Sequence, residues 1–265
     1  MFLQESVFLC PVCKSKLFKL PSQLKCLKGH SFDFAKQGYV NLLLDNAHSK
    51  RHGDDKLMVR SRTDFLEKGY YEPLRKAVCD IIGSDHTVLD SGCGEGYYTE
   101  AIALNNTVCG IDISKDALKV AAKRCGNVLF AVASISDIPL SNSSRDVIVN
   151  IFAPDYLEEF SRVLCDNGRF ITVQPMERHL FGLKSAIYDE PYLNPAVEYE
   201  RVGFKLLSKR ELKYSITLDC NEDIISLFKM TPYYYKTGKT DQEKLTNLNS
   251  LTTEVEFCIL EYQKL

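Results

Sequence analysis

The sequence predicts an α/β protein built on a mostly parallel sheet, with a small metal-binding module ahead of it. Three observations predict this. Five short apolar runs at 86–90, 107–112, 128–133, 146–152 and 169–174 alternate with windows of helical pattern. A glycine-rich turn, SGCGEG at 91–96, follows the first of those runs. Three cysteines and a histidine at positions 10, 13, 26 and 30 have the spacing of a tetrahedral metal site. Strands buried on both faces read as continuous apolar runs, and the helices between them supply the crossovers of a parallel sheet.

The metal module comes first in the chain. Cys10 and Cys13 form a C-x2-C knuckle, and Cys26 and His30 follow as C-x3-H after a spacer of twelve. Two close ligand pairs separated by a hairpin-length segment suit zinc, with Pro11 and Gly29 inside the pairs where tight turns are needed. Four protein ligands close the coordination shell and leave no place for a water, so the zinc is structural; the competing reading is three incidental cysteines and a surface histidine. The other seven cysteines lie in apolar or helical settings, apart from Cys93 between two glycines. That pattern describes reduced thiols in a cytoplasmic protein rather than a disulfide framework. No run approaches the roughly 18–20 apolar residues of a membrane span, and MFLQESVFLC is not built like a signal peptide.

Charge is distributed unevenly. Residues 1–62 carry eight lysines and three arginines against five acids, a net +6 in a chain whose total is −2. A basic module touching an anionic partner on an acidic body fits this asymmetry, as does a solvated basic surface. The segment 46–56, NAHSKRHGDDK, reads as a loop in which Lys50 and Arg51 could contact phosphate. From Lys56 to Ile82 the pattern is helical, broken at KGYYEP by Gly69 and Pro73. The predicted organisation is a zinc module over 1–36, a linker and helical segment over 37–82, and the sheet domain over 83–265. Within that domain YYTEAIAL, SKDALKVAAKRC with Ser114 as N-cap, and YLEEFSRVL are helices, and 215–220 and 255–263 are two last strands, read as an antiparallel edge pair.

The chemistry sits at the first strand–helix turn. Gly92, Gly94 and Gly96 let backbone approach a ligand beside the start of a helix. Alone this is a weak signal. Asp90 immediately precedes the turn, where a phosphate would disfavour negative charge, and Asp112 ends the second strand, placed to bond ribose hydroxyls. An acid at the first turn suits an ammonium, and S-adenosylmethionine carries an ammonium, a sulfonium and a ribose. A nicotinamide or flavin nucleotide and an unliganded glycine turn are the other readings.

The ordered set CPVC…C…GHSFDFAKQGYVNLL, RSRTDFLEKGYYEPLR, LDSGCGEGYYT, NIFAP, PMERHL and MTPYYY spans nearly the whole chain. In it the sequence resembles the bacterial large-subunit (23S) rRNA guanine-N1 methyltransferases, where a zinc module precedes a class I, Rossmann-like methyltransferase domain. The resemblance implies a seven-stranded sheet with an antiparallel last strand, a homodimer, and methylation of a guanine in an rRNA hairpin loop; any antibiotic resistance would depend on which guanine. It also implies that Tyr71, Tyr98, Thr99 and His179 contact the cofactor alongside Asp90, Gly92, Gly94 and Asp112. Tyr71 and His179 equally fit a core tyrosine and a structural histidine. Ser91 stands where the family has an apolar residue.

Asn150 in NIFAP could face the target base or merely end a strand, and Tyr233–Tyr235 could stack on a base or be buried in the sheet. Guanine N1 is blocked by pairing in a duplex, so the base must lie in a loop or be flipped out. Asp155, Glu177 and His179 are candidate proton acceptors, and the sequence does not select among them. Two further functions remain open: a methyltransferase acting on a small molecule, and a non-enzymatic RNA-binding or ribosome-assembly factor that keeps the cofactor fold.

Overall fold

A computed structural model describes residues 4–44 and 53–265. Lys50 and Arg51 lie outside the described residues. The chain opens with an antiparallel four-stranded meander, β1 Gln4–Leu9, β2 Lys16–Lys19, β3 Gln23–Cys26 and β4 Ser31–Asp33, paired in that order. Phe8, Leu17, Leu24 and Cys26 are buried and share one apolar cluster with Ile111, Ile138 and Leu140 of the main domain. The Leu9 amide also donates to the Pro139 carbonyl at 2.8 Å. The module is therefore packed onto the body.

Next comes a two-residue strand, β5 Val40–Asn41, and then helices α1 Lys56–Leu66 and α2 Glu72–Ile82. The break predicted between them is real: Gly69 takes φ +81°, and Pro73 lies in the first turn of α2, where its missing N–H costs nothing. The alternation that follows is β6 Thr87–Ser91, α3 Tyr97–Ile102, β7 Thr107–Asp112, α4 Lys115–Arg124, β8 Leu129–Val132, β9 Arg145–Ile151, α5 Leu157–Val163 and β10 Leu164–Pro175. Ser114 caps α4 as expected, its hydroxyl accepting from the Ala117 amide at 3.2 Å. The chain ends with α6 Phe181–Ile187, β11 Phe204–Leu218, α7 Asn221–Lys229, α8 Lys239–Glu243 and β12 Leu251–Lys264.

The main sheet runs β11-β12-β10-β9-β6-β7-β8-β5. Seven of its strands follow the expected plan, with β12 antiparallel to both neighbours. The eighth is β5, which pairs in parallel with β8 and supplies an edge from the segment read as linker. The last two strands form the expected antiparallel pair at one end of the sheet. Phe257, Cys258, Ile259 and Leu260 are all buried, so β12 must be covered on both faces and lies inside, between β10 and β11. At this end of the sheet β11 is the outermost strand, and most of its residues between Lys205 and Lys213 are exposed.

Leaving β6, the chain steps outward to β7 and β8 and then returns to β9 on the other side. The crevice beyond the carboxyl ends of β6 and β9 is the topological switch point, where open α/β sheets bind ligands.

Candidate active site and metal centre

In the zinc module the four predicted ligands converge, with ligand atoms all within 4.8 Å of one another. Cys10 Sγ and Cys26 Sγ lie 3.5 and 3.4 Å from His30 Nδ1, and Cys13 Sγ lies 3.8 Å from Cys26 Sγ. A tetrahedron with Zn–S near 2.3 Å and Zn–N near 2.0–2.1 Å has edges of about 3.8 Å between sulfurs and about 3.5 Å from sulfur to nitrogen. The donor set fits zinc in both chemistry and spacing. Two turns bend the chain around it: Gly29 at φ +92°, as anticipated, and Lys14 at φ +55°, which no sequence rule marked. The Ser15 hydroxyl, 3.1 Å from Cys13 Sγ, helps hold that thiol down to about 6, close to the thiolate that zinc takes.

The glycine turn lies at the end of β6. Gly92, Gly94 and Gly96 take φ of +78°, +55° and +86°, and a Cβ on Gly92 would come within 2.6 Å of the Ala153 methyl. Asp90 is buried and accepts from the Thr99 hydroxyl at 2.6 Å. Burial pushes its carboxyl up to about 7, helped by the nearby Asp112 and Glu95 and opposed by the Thr99 bond. Asp112 accepts from the Gly94 and Ser114 amides at 2.9 and 2.7 Å, so it ties the second strand to the turn while each oxygen keeps a lone pair free.

Sequence reasoning missed the cation in this cluster. Arg62 donates to Asp54 and to the Met230 carbonyl, and it faces Asp54, Glu95 and Asp112. Glu95 is buried, its carboxyl raised by desolvation and held back chiefly by Arg62. Both residues stood inside quoted motifs, but only the fold brings α1 against the glycine turn. The Asp54 carbonyl accepts from the Ser114 hydroxyl at 2.6 Å, which lays the residues before α1 across the end of β7.

Tyr71 and His179 meet each other one layer behind. The Tyr71 hydroxyl is 3.5 Å from His179 Nε2, and His179 Nδ1 accepts from the Glu256 amide at 3.2 Å. The Tyr71 ring packs edge-on to Phe65 and Phe257. Burial pushes His179 down to about 3, with Lys184 adding to the effect, so its imidazole is neutral. Tyr98 differs: its hydroxyl is buried and, among the described residues, has no hydrogen-bond partner, as is also true of Ser91 Oγ.

Other candidates resolve differently. The Asn150 side chain is spent on its own turn, donating to the Pro154 carbonyl at 2.8 Å and accepting from the Ala153 amide at 3.2 Å. Asp155 is paired with Arg201 Nε at 2.6 Å. Tyr233, Tyr234 and Tyr235 follow α7 in a turn outside the sheet: Tyr233 bonds Asn194, Tyr234 packs on Phe228, and the exposed Tyr235 bonds Asp55.

A buried acid, a glycine cradle, a carboxylate ending the second strand and unpartnered buried hydroxyls fit S-adenosylmethionine. Fold and site together define a class I S-adenosylmethionine-dependent methyltransferase with a zinc ribbon at its N-terminal side. A family model described as "Methyltransferase domain" matches residues 82–248, and the zinc-ribbon model "RlmA, N-terminal" matches 8–51. The chain belongs to the 23S rRNA guanine-N1 methyltransferase family. It is 34% identical to the putative 23S rRNA (guanine-N(1)-)-methyltransferase YxjB of Bacillus subtilis, over 96% of each chain. It is 32% identical to the 23S rRNA (guanine(748)-N(1))-methyltransferase of Streptomyces fradiae, over 67% of this chain and 66% of that one. In fold it is similar to the YcgJ protein of Bacillus subtilis, with a TM-score of 0.52 at 15% identity over 72% of this chain and 97% of that one.

Proposed function

We infer that this protein transfers a methyl group from S-adenosylmethionine to N1 of a guanine in a hairpin loop of 23S rRNA. The observation that carries the reading is the pairing, along one chain, of a zinc ribbon with a methyltransferase site, in a sequence 34% identical to the B. subtilis relative over 96% of each chain. Bound there, S-adenosylmethionine supplies an electrophilic methyl on its sulfonium.

The chain's own residues do the rest. Asp90 and the backbone of Gly92 and Gly94 would hold the methionine end, Asp112 the ribose, and Tyr98 and Thr99 the wall of the cradle. Tyr71 and His179 back that wall. His179 is neutral with both nitrogens engaged, and Asp155 is held by Arg201, so neither is placed to accept the guanine proton, and of the three candidates only Glu177 is left for that role. Catalysis then rests mainly on bringing N1 in line with the methyl at near-attack distance.

The exposed Lys19, Lys25 and Lys28 would grip RNA phosphates, whereas Lys14 and Lys16 are tied to Asp137 and Glu5 at 2.6 and 2.9 Å. The division at 1–36, 37–82 and 83–265 is kept as a functional one, for RNA gripping, connection and methyl transfer. Ten cysteines outside any disulfide, three of them the zinc ligands, and a ribosomal substrate support a cytoplasmic location, and no helix among the described residues is long and apolar enough to cross a membrane. Exposed Leu206 and Leu207 on β11 support a homodimer, which sedimentation would test.

Incubation with labelled S-adenosylmethionine and unmodified 23S rRNA tests the reaction. Label in N1-methylguanine is expected. Donor binding without transfer to RNA would sink the rRNA reading and leave the fold standing.

A further inference from the structure

Phe152 breaks two rules at once. It takes φ +60°, a left-handed conformation that bulky residues avoid, and the residue is 47% exposed. The turn that imposes this is tightly built. Asn150 clamps it from both sides through the Pro154 carbonyl and the Ala153 amide, and the Phe152 amide donates to the Val173 carbonyl at 3.4 Å. Ala153 fills the space left by the missing side chain of Gly92, so the strained residue is registered directly against the cofactor turn. One side of the ring rests on Phe257, with centroids 5.2 Å apart, and Phe257 in turn meets Tyr71 and His179. A buried aromatic row thus ends in one half-exposed ring at the switch-point crevice. Strain that persists where the surroundings over-determine it is characteristic of functional sites.

We propose that Phe152 is the stacking platform for the target guanine, holding the unpaired base flat beside the glycine turn so that N1 faces the methyl donor. The inference rests on the guanine-methylation reading above. A purine offers a broad π-face to an aromatic ring, and an exposed face kept rigid by its backbone loses little freedom when the base arrives. The assignment also gives the Asn150 side chain a positioning role: it holds the turn that presents the ring.

The test uses the full-length protein, unmodified 23S rRNA and labelled S-adenosylmethionine, with F152A, F152L, F152Y and F152G. Base–aromatic stacking of about 1–3 kcal/mol corresponds to roughly 5- to 150-fold in kcat/KM for RNA. F152A, F152L and F152G are expected to lose within that range, F152Y to retain most activity, and all four to bind the methyl donor like the parent. F152G is the folding control, because glycine adopts φ +60° without strain. Full activity in F152A, or F152L matching F152Y, would overturn the stacking role. Loss of donor binding in F152A would reassign the ring to the cofactor site. A parent that binds donor but leaves RNA unmethylated would instead remove the underlying reading, and the proposal with it.

Discussion

Replacing Gly92 and Gly94 separately with alanine tests the construction of the cofactor turn. Both glycines have positive φ, +78° and +55°, so both alanines incur a left-handed backbone cost of roughly 1–2 kcal/mol. The loss of chain freedom in the unfolded state is common to both and cancels in the comparison. What differs is space. At Gly92 the new methyl would lie 2.6 Å from the Ala153 Cβ, whereas at Gly94 the nearest atom is Arg62 Nη1 at 3.8 Å, an ordinary contact. Ala153 belongs to the clamped NIFAP turn and cannot yield cheaply, so overpacking adds about 1–3 kcal/mol at Gly92 alone. Expected losses are about 2–5 kcal/mol for G92A and about 1–2 kcal/mol for G94A. At about 2–4 °C per kcal/mol for a chain of this size, G92A should melt roughly 4–20 °C below the parent and G94A roughly 2–8 °C below. Calorimetry and urea midpoints measured in parallel are the assay. Equal losses, or a larger loss at Gly94, would refute the claim that β9 and the glycine turn are locked together through Ala153.

Three more predictions concern charge and metal. C26S should abolish zinc in elemental analysis and lower the melting temperature, because Phe8, Leu17 and Leu24 share a cluster with the main domain; methyl-donor binding should survive while RNA affinity falls. Asp90, raised to about 7, keeps a proton in the folded state that the unfolded chain has lost, so its contribution to stability falls as pH climbs from about 4 to 7. D90N should remove that slope, its unfolding free energy in urea gaining on the parent's between pH 5 and 8 by up to about 3 kcal/mol; parallel curves would contradict the assignment. His179, depressed to about 3, acts in the opposite range: its stabilising contribution is complete above about 6.5 and is lost as pH falls toward 3. H179Q should flatten that acid limb in the same titration.

Much of this was legible in order along the chain. The C-x2-C and C-x3-H pairs are local, and their turns are short enough that spacing alone brings three sulfurs and a nitrogen together. The five parallel strands announced themselves as continuous apolar runs because both of their faces are buried. Asp90, Gly92, Gly94 and Asp112 could be placed around one turn because each sits at a strand end or in the turn that follows it. The last antiparallel pair was read as such, but the order within it was harder to read. An antiparallel strand next to a chain end looks like an edge, and only burial of Phe257 through Leu260 on both faces places it inside the sheet.

What the sequence by itself determined is therefore the local chemistry: which residues can bind zinc, which turn can cradle a cofactor, and which segments are strand or helix. Tertiary structure decided the pairings across long separations. It brought Arg62 beside Glu95 and Asp112, spent Asn150 on its own turn, committed Asp155 to Arg201, and left Phe152 strained and half exposed above the crevice. The physical reason is that periodicity and propensity report a residue's relation to its near neighbours. A buried charge or a strained φ is tolerated only because of groups dozens of residues away, and those meet only when the sheet is assembled.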